Sequence, residues 1–417
     1  MNDLNREAPQ IMHIDLNSAF ATTEQQAHPS LRGRPMGVTN RISKHCCVIA
    51  ASYEAKALGI KVGMRLDEAR VICPEFIILE TDPPKYHYVY QKLCAMMKDY
   101  SPHVVMKSID EGVMDFHGTL GTVHHRSLVD IGMEIKQRMR DEVGSWMRVN
   151  VGIGPNRFLA KQAAGLHKPD GLDVIDHTNL LDVYKSLQLT DLTGIASHFE
   201  ARLNAANIFT PLQFLQATPD TLKRIVFHSV IGEDWHQRLR GFEVDDVTTK
   251  LGNVGRQFVL DRASADDAFL LPRFHYLCET TAMKLRYNNV DARGILVWAS
   301  FQTGESWAQR KMFRSTFYTN HEVYRRALYL LNQRPKHMII RAFGLTCYML
   351  SPSNRSQMSM LDSVNREEWL TTAMDEINER YGTFVIHSAD TVEAKNIVKQ
   401  KIPFGSTRYF ELLLKQG

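Results

Sequence analysis

Three carboxylates have the type and placement for metal chemistry. Asp15 lies near the end of the segment IMHIDLN, and Asp110 and Glu111 are neighbours within VVMKSIDEGVMDF. Carboxylate oxygens are hard ligands, and three of them gathered at a strand end would collect divalent cations such as Mg²⁺. Two such ions about 4 Å apart suit in-line phosphoryl transfer, one activating the attacking oxygen and the other steadying the leaving group. Adjacent residues in an uninterrupted strand point to opposite faces, so Asp110 and Glu111 act together only if the chain turns there. Gly112 is the residue that makes such a turn easy. Spacing alone leaves a second reading open, in which all three are solvated carboxylates at strand ends.

The elements that would position them can be read from periodicity. In IMHIDLN, Met12, Ile14 and Leu16 fall on one face and His13, Asp15 and Asn17 on the other, which predicts a half-buried strand. Residues 53–82 read as helix, turn, helix, strand, and residues 85–100 as a helix after a double proline. VVMKSIDEGVMDF reads as strand, tight turn, strand, followed by a helix over residues 125–143. MRVNVGIG is a further strand, and NRFLAKQAAG a helix with Asn156 as its N-cap and Gly165 at its end. Residues 179–243 read as short helices, and EVDDVTTKLGN as a linker. Residues 254–350 then follow the order βαββαβ, with helices over 264–287 and 321–333. Beyond residue 350 come a polar joint, a helix over EEWLTTAMDEINERYG, a strand and a tail.

At roughly 100–200 residues per domain, the 417-residue chain predicts two to four domains. No apolar run approaches the ~18 residues of a membrane span, and the first ten residues, MNDLNREAPQ, are polar. These features predict a cytoplasmic protein with no membrane partner. The six cysteines form no CxxC pair, as expected of free thiols in a reducing compartment. Charge is unevenly spread. Residues 251–350 hold 14 Lys+Arg against 7 Asp+Glu, whereas residues 1–250 hold 28 against 30 and residues 351–417 hold 8 against 9. A basic block of this kind suits a polyanion partner or a merely solvated surface. VGIGPNRFLAK has neither G-x-x-x-x-G-K-[ST] nor the third glycine of a dinucleotide fingerprint, which argues against an ATPase or a dehydrogenase.

Four segments, MHIDLNSAFATTEQ, AASYEAKALGIKVGM, SIDEGVMDF and VGIGPNRFLAKQAAGLHKPDGL, occur in an order and at spacings that closely resemble the Y-family DNA polymerases, nearest the DinB or polymerase IV-like branch. The resemblance runs from about residue 10 to 350. It implies an α+β multidomain right-hand polymerase. The palm would comprise residues 1–18 and 83–176, the small fingers 19–82, and a helical thumb 177–243. A linker over 244–253 would lead to a βαββαβ little finger over 254–350 and a C-terminal extension over 351–417. The resemblance makes Asp15, Asp110 and Glu111 the catalytic ligands of two Mg²⁺ ions, for which Mn²⁺ could substitute, with the carbonyl of Leu16 assisting. It makes Phe20 a steric gate that clashes with a ribose 2′-hydroxyl. Tyr53, Lys56 and Lys168 become the residues that hold the incoming triphosphate. The chain departs from the family pattern at Lys56, commonly Arg; at Ala50, a frequent Thr; at Ala19, often aromatic; at Asn17, a frequent Asp; and in reading IDEG for IDEA. These departures bear on nucleotide affinity and fidelity. They leave the reaction alone.

LTDLTGIASHFEARL resembles a helix-hairpin-helix in which Thr193, Gly194, Ile195 and Ala196 form the hairpin, with Ala196 replacing a second glycine. Backbone N–H groups at such a turn bind phosphate without reading sequence. Arg256 and Arg341, in the basic block, are candidates for DNA backbone contacts. Gln357, Met358, Ser359, Met360 and Leu361 resemble the short peptide with which bacterial polymerases grip the sliding clamp. The expected protein is a monomeric, low-fidelity DNA polymerase for damage tolerance. It would act on primer–template DNA and deoxynucleoside triphosphates. A catalytically inert DNA-binding scaffold would have no use for a costly like-charge cluster. A two-metal nuclease would have no use for the triphosphate positions.

Overall fold

The computed structural model describes residues 3–43, 46–119, 126–247, 250–353, 362–382 and 384–397. They fall into two compact units that divide after Val247.

The first unit opens with β1 (Ile11–Leu16), α1 (Ala19–Ala27), β2 (Met36–Thr39), β3 (Ala50–Ala51), α2 (Tyr53–Ala57), α3 (Leu66–Ile72), β4 (Ile77–Glu80) and α4 (Pro83–Lys98). It continues with β5 (His103–Met106), β6 (Glu111–Asp115), α5 (Leu128–Arg138), β7 (Val149–Gly154), α6 (Arg157–Leu166) and β8 (Leu172–Val174). Short helices follow: α7 (Leu180–Ser186), α8 (Ser197–Ala205), α9 (Pro211–Gln216), α10 (Pro219–Thr221) and α11 (Ile231–Leu239). The main sheet has the order β5-β6-β1-β7-β8, which puts β1 at its centre. A smaller sheet, β3-β2-β4, carries α2 and α3.

The first strand is not half-buried as its alternation suggests. His13, on the polar face, is 1% exposed, and only Asp15 is partly open. The reason is a second layer. Met12, Ile14 and Leu16 pack on the core residues of α4 and α5, while Ile11 on the other face meets Val113 and Ala160 of α6. Glycine in β7 lets α6 come that close. A Cβ on Gly152 would stand 2.0 Å from the Ala160 carbonyl oxygen, and one on Gly154 2.6 Å from the Ala160 nitrogen. Asn156 caps α6 as expected, its Oδ1 accepting the Leu159 N–H at 2.7 Å. Gly165 lies at the end of the helix, one residue before its last, Leu166.

The turn between Asp110 and Glu111 is built differently from the expectation. Residues 107–110 make it, closed by N–H groups of Lys107 and Ser108 on the Glu111 carbonyl at 2.9 and 3.2 Å. Gly112 lies inside β6, opposite Ile14 and Met106. Its need is space, since a Cβ there would lie 2.7 Å from the Met106 sulfur.

The second unit follows the expected βαββαβ order: β9 (Asn253–Ser264), α12 (Asp267–Tyr287), β10 (Val290–Phe301), β11 (Ser306–Phe317), α13 (Asn320–Leu331) and β12 (Ile340–Tyr348). The sheet order is β11-β10-β12-β9, and α12 and α13 cover one face. A short β13 (Ser351–Pro352) then pairs with β10, followed by α14 (Asp362–Tyr381) and α15 (Val392–Ile397). The strand expected after α14 is absent among the described residues. There the Asn378 side chain instead holds the chain in a bend, exchanging hydrogen bonds with the Ile386 backbone at 2.8 and 2.9 Å. Phe384 packs on Tyr276 of α12. Arg286 of α12 forks onto Asp375 of α14 at 2.5 and 2.7 Å. Glu279 of α12, 1% exposed, accepts the Ser388 N–H at 3.1 Å, the Ser388 hydroxyl at 2.7 Å and the Thr391 hydroxyl at 3.2 Å. No helix among the described residues is long and apolar enough to cross a membrane.

Candidate active site

Register brings the sequence-distant carboxylates together. Asp15 of β1 stands directly opposite Glu111, the first residue of β6. The Leu16 N–H donates to the Asp110 carbonyl at 2.8 Å, which ties the 107–110 turn to the end of β1. His13, Asp15 and Glu111 each bring one donor atom to within 4.8 Å of the others. Asp110 stands outside that group, and its carboxylate accepts the Ser108 hydroxyl.

Two lysines neutralise this centre. Lys161 of α6 donates to both Glu111 oxygens, at 2.9 and 2.7 Å, and His13 Nε2 lies 3.1 Å from the same carboxylate. Burial alone would raise the Glu111 pKa, but these two partners hold it down at about 2. Lys168 Nζ donates to Asp15 Oδ2 at 2.8 Å. Asn17 fixes the loop that carries Lys168. Its Oδ1 accepts the Asp170 N–H at 2.8 Å and its Nδ2 donates to Asn150 at 2.8 Å. Asp110 is raised above the usual carboxylate range by burial and by its neighbours Asp15 and Glu111, against the Ser108 bond. Of the three carboxylates Asp110 stays under like-charge stress, which a divalent cation would relieve, so the oxygens of Asp15, Asp110 and Glu111 fit a hard cation of that kind.

The triphosphate candidates gather around Asp15. Ser18, in the left-handed conformation at φ 48°, turns the chain from β1 into α1. Its hydroxyl accepts from Lys56 Nζ at 2.7 Å, and that ammonium lies 4.7 Å from the Tyr53 ring centroid. Burial and then Asp15 push the Tyr53 hydroxyl up to about 12, opposed by its bond to Ser18. Burial and the neighbouring Lys168 lower Lys56, opposed by Asp15. Phe20, in the first turn of α1, is 5% exposed and stacks on Tyr86 at 4.4 Å. Tyr86 in turn donates to the buried Glu24 at 2.9 Å.

Sequence reasoning missed His13 and Lys161. His13 carried one signal, its place two residues before Asp15 on the same strand face. Lys161 carried none, because its partner lies 50 positions away in the chain.

The hairpin candidates divide. Gly194, at φ +96°, and Ala196 are exposed, while Ile195 is buried among the helices with Trp235. In the second unit, Arg341 is exposed on β12. Arg256 is half-buried opposite Leu345, on the helix-covered face with Val254 and Leu260, and not on the open face that a DNA contact needs. There it lies near Lys284 of α12, whose ammonium burial and Arg256 push down to about 8. The residues 357–361 named for the clamp lie outside the described residues.

Lys284 makes a pH prediction. Its proton leaves the folded protein at about 8 and the unfolded chain near 10.5, so between these values the unfolded state binds more protons and stability rises with pH. Lys284→Met is expected to be more stable than the unmodified protein below pH 8, with the gain shrinking toward pH 10.5. Thermal melts of both proteins across this range test it. A constant difference would mean that Lys284 keeps its proton in the fold.

Known proteins resemble this chain over most of its length. Residues 14–165 match the profile of the impB/mucB/samB family, and residues 253–360 that of the impB/mucB/samB family C-terminal domain. DNA polymerase IV of Pelotomaculum thermopropionicum is 31% identical over 94% of this chain and 97% of its own length. DNA polymerase IV 1 of Bacillus subtilis is 25% identical over 92% of this chain and 93% of its own. Among solved structures, a Y-family DNA polymerase chimera of Dbh and Dpo4 superimposes with a TM-score of 0.70, at 24% identity, over 82% of this chain and 98% of that one. DinB from Sulfolobus solfataricus does so with a TM-score of 0.53, at 24% identity, over 82% and 99%. The α+β right-hand fold expected from the sequence is therefore the fold observed, and the chain belongs to the impB/mucB/samB family of Y-family DNA polymerases, in the DNA polymerase IV group.

Proposed function

We propose that the chain adds deoxynucleotides to the 3′ end of a primer paired with a DNA template, with low fidelity and past damaged bases. The observation that carries this reading is the register pairing of Asp15 with Glu111, with Asp110 beside them and Tyr53, Lys56 and Lys168 around Asp15. Asp15, Asp110, Glu111 and the Leu16 carbonyl would hold two Mg²⁺ ions, which when bound supply Lewis-acid activation of the attacking and leaving oxygens. Lys56 and Lys168 present ammonium donors, and Tyr53 a phenol, to the oxygens of the incoming triphosphate. Lys56 does so without the bidentate fork of an arginine. Phe20, backed by Tyr86, presents a rigid ring where a 2′-hydroxyl would enter.

The supporting parts follow the family plan: palm over residues 1–18 and 83–176, fingers over 19–82, thumb over 177–243, linker over 244–253 and little finger over 254–350. Backbone N–H groups at Gly194 and Ala196 would take a DNA phosphate while buried Ile195 anchors the hairpin. Arg341 would add a contact that weakens with salt and ignores sequence. Arg256 does not join it, because α12 covers its face. The peptide Gln357–Leu361 would bind a sliding clamp, and the polymerase would act as a monomer.

The purified protein, given primed template, deoxynucleoside triphosphates and Mg²⁺, is expected to extend the primer and to continue past at least one of a panel of template lesions. Failure to extend with either Mg²⁺ or Mn²⁺ would leave the scaffold reading in its place.

A further inference from the structure

A cavity of about 360 Å³ lies between β6, α6 and the short helices of the first unit, and two of its lining residues, His13 and Lys161, are the partners of Glu111. His13, Lys107, Arg157, Lys161, Gly194 and Arg238 are among the residues that line it. Its charges are not equally available. Arg157 is paired with Asp115, Glu243 and Asp246, and Arg238 with Asp245, the carboxylate in the lining. Lys107 is exposed and its ammonium has no acidic partner among the described residues. Lys161 is half-exposed on a flexible stem, and among the described residues its only carboxylate partner is Glu111.

Glu111 itself is gripped from two sides of unequal stiffness. His13 is 1% exposed and holds the carboxylate from within the sheet, and its Nδ1 has no hydrogen-bond partner among the described residues. Lys161 approaches from the cavity and occupies both oxygens. A cation arriving at Glu111 must compete with that ammonium, whereas His13 can keep the carboxylate in place throughout.

We propose that Lys161 is a positioning residue that couples the metal site to the cavity: its ammonium stands in for a cation on Glu111, and moves to a phosphate when one enters beside Lys107. The ligand is a phosphate oxyanion, whether of a nucleic-acid backbone or free in solution. With the cavity empty, Lys161 keeps Glu111 neutralised and weakens its hold on a divalent ion. With phosphate present, the carboxylate is freed while His13 still orients it. By linkage, phosphate tightens metal binding and metal tightens phosphate binding to the same degree. The inference rests on the reading of Glu111 as a metal ligand.

The test is Mn²⁺ affinity of the full chain, read by electron paramagnetic resonance of the free ion at constant ionic strength, with circular dichroism to confirm folding. In the DNA-free protein, Lys161→Met is expected to tighten Mn²⁺ binding roughly 5–150-fold, the usual range of a coupling between sites. Lys161→Arg, which keeps the ion pair, is expected to stay near the unmodified protein. A primer–template duplex with a dideoxy end, or sulfate as a free oxyanion, should tighten binding in the unmodified protein and add less in Lys161→Met. Tightening by the duplex alone assigns the cavity to a nucleic-acid backbone, and tightening by sulfate as well assigns it to any such oxyanion. Glu111→Gln separates the two layers of the reading. If it leaves Mn²⁺ affinity unchanged, Glu111 is no ligand and the metal reading fails. If it weakens binding while Lys161→Met leaves affinity unchanged or lower, or neither anion tightens binding, the coupling is overturned.

Discussion

Asp110→Asn and Glu111→Gln are each expected to abolish primer extension while leaving DNA binding intact. Each change removes one negative charge and keeps the shape of the side chain. The lost contribution is metal-held stabilisation of developing charge, worth several kcal/mol, which corresponds to a fall of roughly 10³-fold or more in the extension rate. Asp110 already carries its charge under stress, raised by burial and by Asp15 and Glu111, so its amide form is not a burden to the fold. Neither change removes a DNA-facing candidate at Gly194, Ala196 or Arg341, and Glu111→Gln releases Lys161 toward phosphate rather than weakening that contact. Single-turnover extension and a gel-shift titration on the same samples separate the two effects. Extension at the unmodified rate would remove the altered residue from the metal site.

Phe20→Ala is expected to admit ribonucleotides, lowering discrimination between deoxyribose and ribose by roughly 10²-fold, the scale on which a shaped pocket rejects one added hydroxyl. Phe20 is buried and stacked on Tyr86, so the alanine variant also leaves a void that costs about 3–5 kcal/mol of stability. Phe20→Val retains more of the packing while withdrawing the ring edge. Both variants should therefore be compared by the ratio of kcat/KM for a ribonucleotide and its deoxy counterpart, in which loss of folded enzyme cancels. An unchanged ratio in both would leave Phe20 a packing residue only.

The legible parts of this chain are those whose signal is local or whose motif is long. Alternation in IMHIDLN gave the strand and put Asp15 at its end, and Asn156 before an apolar helix gave a cap that the structure contains. The βαββαβ order of the second unit was readable because each element is long and bounded by polar turns. What alternation cannot report is what covers a polar face. Nothing near His13 in the chain says that α6 packs there, because the glycines that permit it, Gly152 and Gly154, lie on another strand. Gly112 misled for a related reason: glycine marks either a turn or a close approach, and the two sulfur-bearing neighbours that require space are at Met97 and Met106. Lys161 and Lys168 meet their carboxylates only through tertiary register. Arg256 looked like a surface cation because β9 is charged and partly exposed, yet its position in the strand alternation turns it toward α12.

The grip of the C-terminal helices on α12 bears on how this polymerase can be taken apart. The donors to buried Glu279 come from 109 and 112 positions further along the chain, and the carboxylate that pairs with Arg286 from 89. A cassette cut after the last sheet strand, at residue 353, would strip Glu279 of hydrogen bonds to a charged group worth about 1.5–3 kcal/mol each, bare Tyr276 where Phe384 packs, and leave a guanidinium without its acid. Chimeras that trade this unit between polymerases of the group would therefore keep its stability only if the transplanted piece extends to about residue 397, where α15 ends.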